Sequence, residues 1–115
     1  PYRLDVSGSI RATGTVFQAS DERLKENITG IDNASEIVNQ IEGVYFNWNE
    51  GRDDRQVGVI AQQVKKIIPE VVSTDNKGYL NVAYSGIVPI LVEAFKEQNE
   101  VIEKLEKRIS ALENK

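Results

Sequence analysis

SGIVPILVEAFKEQNEVIEKLEKRISALENK, residues 85–115, is the stretch on which the reading of the fold turns. Within it Val88, Leu91, Phe95, Gln98, Ile102, Leu105, Ile109 and Leu112 fall alternately three and four residues apart, the spacing of a heptad seam on one long helix. Ser85 is a candidate cap, and Pro89 is tolerated because it falls in the first turn, so the helix is expected over about 86–113. At about 1.5 Å per residue it would extend roughly 40 Å, further than so short a chain could cover. Its distal part must meet another chain or face water. Arg108 and Glu113 have the spacing of an interchain g-to-e pair. Ile102 and Ile109 in one seam position, with Leu105 and Leu112 in the other, favour a dimer by simple packing rules, and Gln98 reads as a polar register marker. The competing reading is one amphipathic helix packed on its own domain.

Working back from that helix, residues 20–84 alternate short elements. Asp32 can cap a helix that turns Ile37, Val38 and Ile41 inward and stops at Gly43. Val44 to Trp48, aromatic and β-branched, reads as a strand before the polar turn 49–54. Gln56 to Ile60 reads as a strand feeding a helix from Ala61 to Ile68, in which Val64, Ile67 and Ile68 share a face and Pro69 ends the run. Asp75-Asn76-Lys77-Gly78 reads as a hairpin loop and Tyr79 to Tyr84 as the returning strand. The fold class is therefore α+β, a small mixed domain whose modest core leans on a partner. Ahead of it, Val6, Gly8, Ile10, Ala12, Gly14 and Val16 alternate with polar residues, so Leu4 to Val16 has the periodicity of a strand.

Composition narrows the chemistry. The 115 residues hold 14 basic and 18 acidic side chains, a net charge of -4, which is no footprint for a phosphate backbone and argues against a nucleic-acid partner. Without cysteine or histidine there is no disulfide, thiol nucleophile, imidazole base or Cys/His zinc site, and any general base must be Lys, Asp or Glu. No apolar run approaches the length of a membrane-spanning helix. The chain opens on Pro1 rather than Met, which suggests a piece of a longer protein. Asp53-Asp54 and Asp75-Asn76-Lys77-Gly78 are oxygen-rich but lack EF-hand spacing and read as turns, so no metal or cofactor is expected. Tyr45, Phe46 and Trp48 could form a carbohydrate platform, with core packing the default.

One segment invites a chemical reading. In Ser20-Asp21-Glu22-Arg23-Leu24-Lys25, the Ser20 hydroxyl lies a few bonds from the carbonyl of Ala19, so the entropy of bringing nucleophile and carbonyl together is largely prepaid. The amine of Lys25 is the natural base if burial lowers its pKa. Asp21 and Glu22 oppose that, so they should point away, pair with Arg23, or carry the proton themselves. The plain alternative makes Ser20 a helix cap in a solvated first turn.

The same residues, continued as Glu26-Asn27-Ile28, resemble the opening of the endosialidase-type intramolecular chaperone domain, peptidase family S74. Phe46-Asn47-Trp48, Val57 to Val64, Ile68 to Val72, Tyr79 to Tyr84 and Ile87 to Lys96 resemble its later blocks. The resemblance implies an intertwined homotrimer at the C-terminus of a phage tail fibre, tailspike or appendage, in place of the dimer that seam packing favours. Residues 1–19 would be the end of the β-structured fibre stalk and 20–115 the chaperone and autoprotease. The implied activity is that of a self-cleaving serine endopeptidase acting between Ala19 and Ser20. Ser20 would be its nucleophile and Lys25 its general base, with Asp21 contributing to orientation. The implied partners are two further copies and the upstream stalk as client, with no membrane insertion. The implied setting is the host cytoplasm during assembly and then the virion tail, with this domain released. Two rival readings are a noncatalytic trimerisation or capping module and a coiled-coil adaptor for a different protein.

Overall fold

A computed structural model describes residues 2–49, 51 and 54–115. Helix α1 (Ala34–Asn39) leads into a hairpin of β1 (Val44–Phe46) and β2 (Gln56–Gly58). Helix α2 (Ala61–Ile67), a second hairpin of β3 (Val72–Thr74) and β4 (Leu80–Val82), and helix α3 (Val88–Glu113) follow. Three 3-10 turns, at Glu22–Leu24, Pro69–Val71 and Tyr84–Gly86, punctuate the chain. The α+β class and the long terminal helix are as the sequence pattern implies, with strands two to three residues shorter than the apolar runs that announce them. Both pairs are antiparallel, Tyr45 opposite Val57 in the first and Ser73 opposite Asn81 in the second. The second turn closes as expected: the Asp75 carboxylate accepts from the amides of Lys77 at 2.9 Å and Tyr79 at 3.0 Å. In the first turn, Glu50, Arg52 and Asp53 lie outside the described residues, and the Asn47 side chain donates to the Asp54 carbonyl at 3.2 Å.

The core is small. Ala34, Val64, Ile68, Val71, Ile90 and Ala94 are its buried members, with Ile37, Val38, Ile41 and Ile67 packed around them on the faces their spacing assigns. Two glycines allow close approach: a Cβ on Gly58 would collide with the Tyr84 hydroxyl, and one on Gly86 would come within 2.6 Å of Val71 Cγ1. The Tyr84 hydroxyl in turn accepts from the amide of Val59 at 3.1 Å, fastening the end of the second hairpin to the end of the first.

Two expected caps are supplied differently. Asp32 does not cap α1. Asn33 takes that position in a left-handed conformation without a side-chain bond, and the helix's free amides are met from α3. Glu97 accepts from Ala34 N at 2.8 Å and from Ser35 N at 3.0 Å. The Ser35 hydroxyl donates to the Ala94 carbonyl at 3.2 Å and accepts from Gln98 Nε2 at 3.0 Å, so Gln98 serves its own domain as well as standing in the seam. Ser85 does not cap α3 either. It lies in the preceding 3-10 turn, and α3 starts after Ile87 with Pro89 in its first turn. Tyr45 and Trp48 are not core residues. In a strand, alternate side chains face opposite ways, so Tyr45 points out between half-buried Val44 and Phe46. The Arg55 guanidinium lies 4.2 Å over the Tyr45 ring, and Trp48 meets Phe46 edge to face at 5.1 Å.

Helix α3 has two apolar faces. Ile90 and Ala94 are buried against the domain, whereas the seam is exposed from Val88 to Leu112, with Phe95 at 67% and Ile109 at 55%. The reading in which the heptad stripe packs on its own domain therefore fails, because a different stripe does that. Nor does Leu4–Val16 form a strand in the single chain: no described residue from 2 to 20 lies in a helix or strand, and every one from 2 to 30 is exposed. A strand needs a partner for its amides and carbonyls, and the segment meets the domain only at isolated points, such as Tyr2 hydroxyl to Ser73 hydroxyl at 3.0 Å. The chain exposes 10557 Å², against about 6,300 Å² for a compact monomer of its mass. Its radius of gyration is 19.3 Å, against about 13 Å for a compact chain of its length.

Gly58→Ala is expected to cost about 1–3 kcal/mol through overpacking against Tyr84, read as a lower denaturant midpoint at unchanged slope. A second expectation concerns acid. The amides of Ser35 and then Ala34 hold the Glu97 carboxyl below its ordinary value. Its contribution is therefore complete above the ordinary carboxylate range and is lost as pH falls through the depressed folded value. Glu97→Gln should lower the thermal midpoint at neutral pH, and the gap from the unsubstituted protein should close on acidification.

Candidate functional site

The Ser20–Lys25 segment is organised by its own 3-10 turn. Leu24 N donates to Asp21 O at 3.0 Å and Lys25 N to Glu22 O at 3.1 Å, a tight reversal that brings the residues on either side of it together. Lys25 Nζ donates to Ser20 Oγ at 2.8 Å. The cap of the turn is Asp21 and not Ser20: Asp21 Oδ1 accepts from the amide of Arg23 at 2.9 Å. The Ser20 hydroxyl is thus available to the amine rather than engaged by the turn.

Asp21 is drawn to Arg23. Its Oδ1 also accepts from Arg23 Nε at 3.1 Å, and its Oδ2 from Nη2 at 2.8 Å, a two-pronged pair. The guanidinium, and then the Arg23 amide, hold the Asp21 carboxyl below its ordinary value. Of the arrangements open to the acids, Asp21 adopts the pairing with Arg23, and Glu22 forms no ion pair among the described residues. Among the described residues Lys25 forms no ion pair.

Of the three sequence-selected residues, the turn therefore joins Ser20 to Lys25 and sets Asp21 apart on a partner of its own. The arrangement holds a hydroxyl beside an amine, one residue from a peptide carbonyl. Such a pair can activate the hydroxyl when the amine is neutral, because the same contact then runs from Oγ–H to Nζ. The surroundings are open. Val16, Phe17, Leu24 and Ile28, the apolar side chains nearest in sequence, are 81%, 89%, 77% and 67% exposed.

A second concavity lies between the first hairpin, α2 and β4, an open cleft of about 620 Å³ lined by Phe46, Trp48, Val57, Ile60, Leu80 and Tyr84 among others. None of Ser20, Asp21 or Lys25 lines it, and no Asp, Glu, Lys or Arg does. No helix among the described residues is long and apolar enough to cross a membrane, and no group of three or more acidic side chains there is placed to hold a metal ion.

The family model for Peptidase S74, described as chaperone of endosialidase, matches residues 20–73, beginning on the serine that contacts Lys25. This segment is a Peptidase S74 chaperone domain. The matched stretch ends at the second hairpin, so the blocks from Tyr79 onward and α3 lie beyond it. Tail-fibre relatives reach further. The long tail fiber protein Gp37 of Enterobacteria phage K3 is 32% identical over 102 residues, covering 82% of this chain and 8% of the fibre protein. Gp37 of Escherichia phage AR1 is 32% identical over 91 residues, covering 71% of this chain and 8% of that protein. A myelin gene regulatory factor-like protein A of Dictyostelium discoideum is 36% identical over 87 residues, 64% of this chain and 9% of that protein. The chain thus spans less than a tenth of the length of each of these three relatives. Taken with the family match, the two tail-fibre likenesses make the domain similar to a chaperone or assembly domain of a tail-fibre protein.

Sequence reasoning had no view of Glu97. The only signal was its place three residues after Ala94, on the stripe that Ile90 begins and one position from the heptad seam.

Proposed function

We propose that residues 20–115 form an intramolecular chaperone that trimerises, sets the register of an upstream fibre stalk, and then frees itself by cutting between Ala19 and Ser20. In this reaction Ser20 Oγ attacks the carbonyl carbon of Ala19 while neutral Lys25 Nζ takes the hydroxyl proton. The C–N bond breaks and its nitrogen is protonated, leaving an ester between Ala19 and the Ser20 oxygen. Water then hydrolyses the ester, so that Ala19 ends as a carboxylate and Ser20 keeps a free amine and its hydroxyl. The 2.8 Å contact between Lys25 Nζ and Ser20 Oγ, at the first residue of the family match, is the observation that supports this reading.

Assembly supplies what the lone chain lacks. An amine in water is largely protonated near neutral pH, and removing water from around it favours the neutral base. Neighbouring copies bring that dry environment to the turn, with the exposed side chains of Phe17, Leu24 and Ile28 at hand to build it. The exposed seam of α3 meets the same seam of two other copies, and residues 1–19 leave the assembly as the end of the stalk. Three tethered chain ends raise the local concentration at which stalk strands meet, which offsets the entropic cost of closing nonlocal contacts. Assembly takes place in the host cytoplasm, and the finished fibre joins the virion tail without this domain.

Two measurements test the reading. With the natural stalk upstream, the unmodified protein should yield a fragment beginning at Ser20, whereas Ser20→Ala and Lys25→Ala should remain intact, followed by mass over time. Equal products from all three would reject the mechanism. Separately, sedimentation should give a trimer, and Leu105→Asp with Ile109→Asp should give a folded monomer that no longer cuts. A protein monomeric without these changes would overturn the assembly role.

A further inference from the structure

We infer that Arg23 is a positioning residue of the self-cleavage site, holding the Asp21 carboxylate in a fork of its own so that it does not pair with Lys25. The inference rests on the Ser20–Lys25 reading above and adds a residue and a reason to it. Asp21 adjoins the serine whose hydroxyl already meets the Lys25 amine at 2.8 Å, so its carboxylate, like that of Glu26 beside Lys25, is one residue from the reacting pair. A carboxylate beside an amine favours the protonated ammonium and raises its pKa by about 1–3 units, which empties the base form the reaction needs. Arg23 removes that competitor. Its amide and Nε both donate to Asp21 Oδ1, at 2.9 and 3.1 Å, and Nη2 donates to Oδ2 at 2.8 Å, so three donors from one residue hold both oxygens.

The fork suits Arg and no other cation. A guanidinium presents parallel N–H groups in a plane that matches a carboxylate, whereas an ammonium is a point charge that engages one oxygen at a time. Stability does not explain the pair: the Arg23 side chain is 88% exposed and that of Asp21 43%, and ion pairs so exposed contribute little to folding. The other charged groups near Lys25 are Glu22 and Glu26 on the same segment, and neither forms an ion pair with it among the described residues. Nor does any charged side chain of the helices or hairpins hydrogen-bond to Ser20, Asp21, Arg23 or Lys25 among the described residues.

The test is the pH profile of cleavage in the protein with its stalk. Arg23→Gln should move the midpoint about one unit to higher pH, slowing cleavage near neutrality about tenfold, while the rate at the alkaline plateau stays the same. Arg23→Lys should fall between the two. Adding Asp21→Asn to Arg23→Gln should restore the original midpoint, because the freed competitor is then uncharged. A lowered plateau with an unmoved midpoint would mean that Arg23 supports only the local fold and would overturn the inference, as would a double variant no faster than Arg23→Gln. Cleavage of a Ser20→Ala control would instead sink the underlying mechanism. The Lys25 amine can also be titrated by NMR in the Ser20→Ala background, where nothing is cut. Arg23→Gln must raise its pKa there, and an unchanged value refutes the positioning role whatever the cleavage assay gives.

Discussion

The fold depends on one helix serving two masters. Along its first three turns α3 turns Ile90, Ala94 and Glu97 toward α1. The small side chains of Ala34 and Ala94 allow an approach close enough for the Ser35 hydroxyl to reach the Ala94 carbonyl. At that distance the Glu97 carboxylate can take two amides at the start of α1, a helix of 6 residues that could not hold its shape alone. About 100° around the cylinder the heptad stripe is left bare. Because Ile90 and Val88 belong to different stripes, burying the first does nothing for the second, and the domain folds without covering the face through which copies would meet.

That division explains how so small a core can be sufficient. Val64 is the one large side chain completely buried among the described residues, and the hairpins are two-stranded, a size that is marginal without support. What holds them is specific contact more than area: the Tyr84 hydroxyl over Gly58, Val71 against Gly86, and Gln63 Oε1 accepting from the amide of Glu42 at 3.0 Å. Such contacts fix geometry without supplying much hydrophobic stabilisation, and the excess of exposed apolar surface is where further stabilisation is to be found. On the proposed trimer, the energetic deficit of one chain and the need for three have the same origin.

The sequence disclosed the elements better than their joints. Helical spacing placed Val64, Ile67 and Ile68 on one face and the Asp-Asn-Lys-Gly loop in a hairpin, because those signals are local and each residue carries its own. The cap of α1 was misread because its partner comes from afar, and that of α3 because a 3-10 turn takes up Ser85. Asp32 and Ser85 have the right chemistry beside a helix start, yet the amides of α1 are met by Glu97, some 60 residues away, and no local pattern announces a carboxylate at that range. Aromatic residues at 45–48 suggested core because β propensity says nothing about which face is covered. The alternation over Leu4–Val16 specifies a face but no partner, and a single chain provides none. At the candidate site the Ser20–Lys25 contact was legible, since a turn of six residues is local. The fork from Arg23 was one of several arrangements the letters allowed.

The turn at 20–25 and the seam at 88–112 pose the same physical problem at opposite ends of the chain: apolar and reactive groups built to definite geometry but left in water. For the seam the consequence is simple, since in the proposed assembly matching stripes cover one another. For the turn it is conditional. An amine 2.8 Å from a hydroxyl, with the acid beside that hydroxyl already occupied, has the geometry of a base but stands open to solvent. Desolvation is the missing variable, and in the proposed assembly only neighbouring chains can change it. On the proposed mechanism such a site is quiet in a lone chain, with no lid or inhibitor required, and cleavage would report that the surroundings of Ser20 have closed. The coupling needs no moving part within the domain, because the segment from 2 to 30 is exposed along its whole described length and takes its dielectric from whatever packs against it.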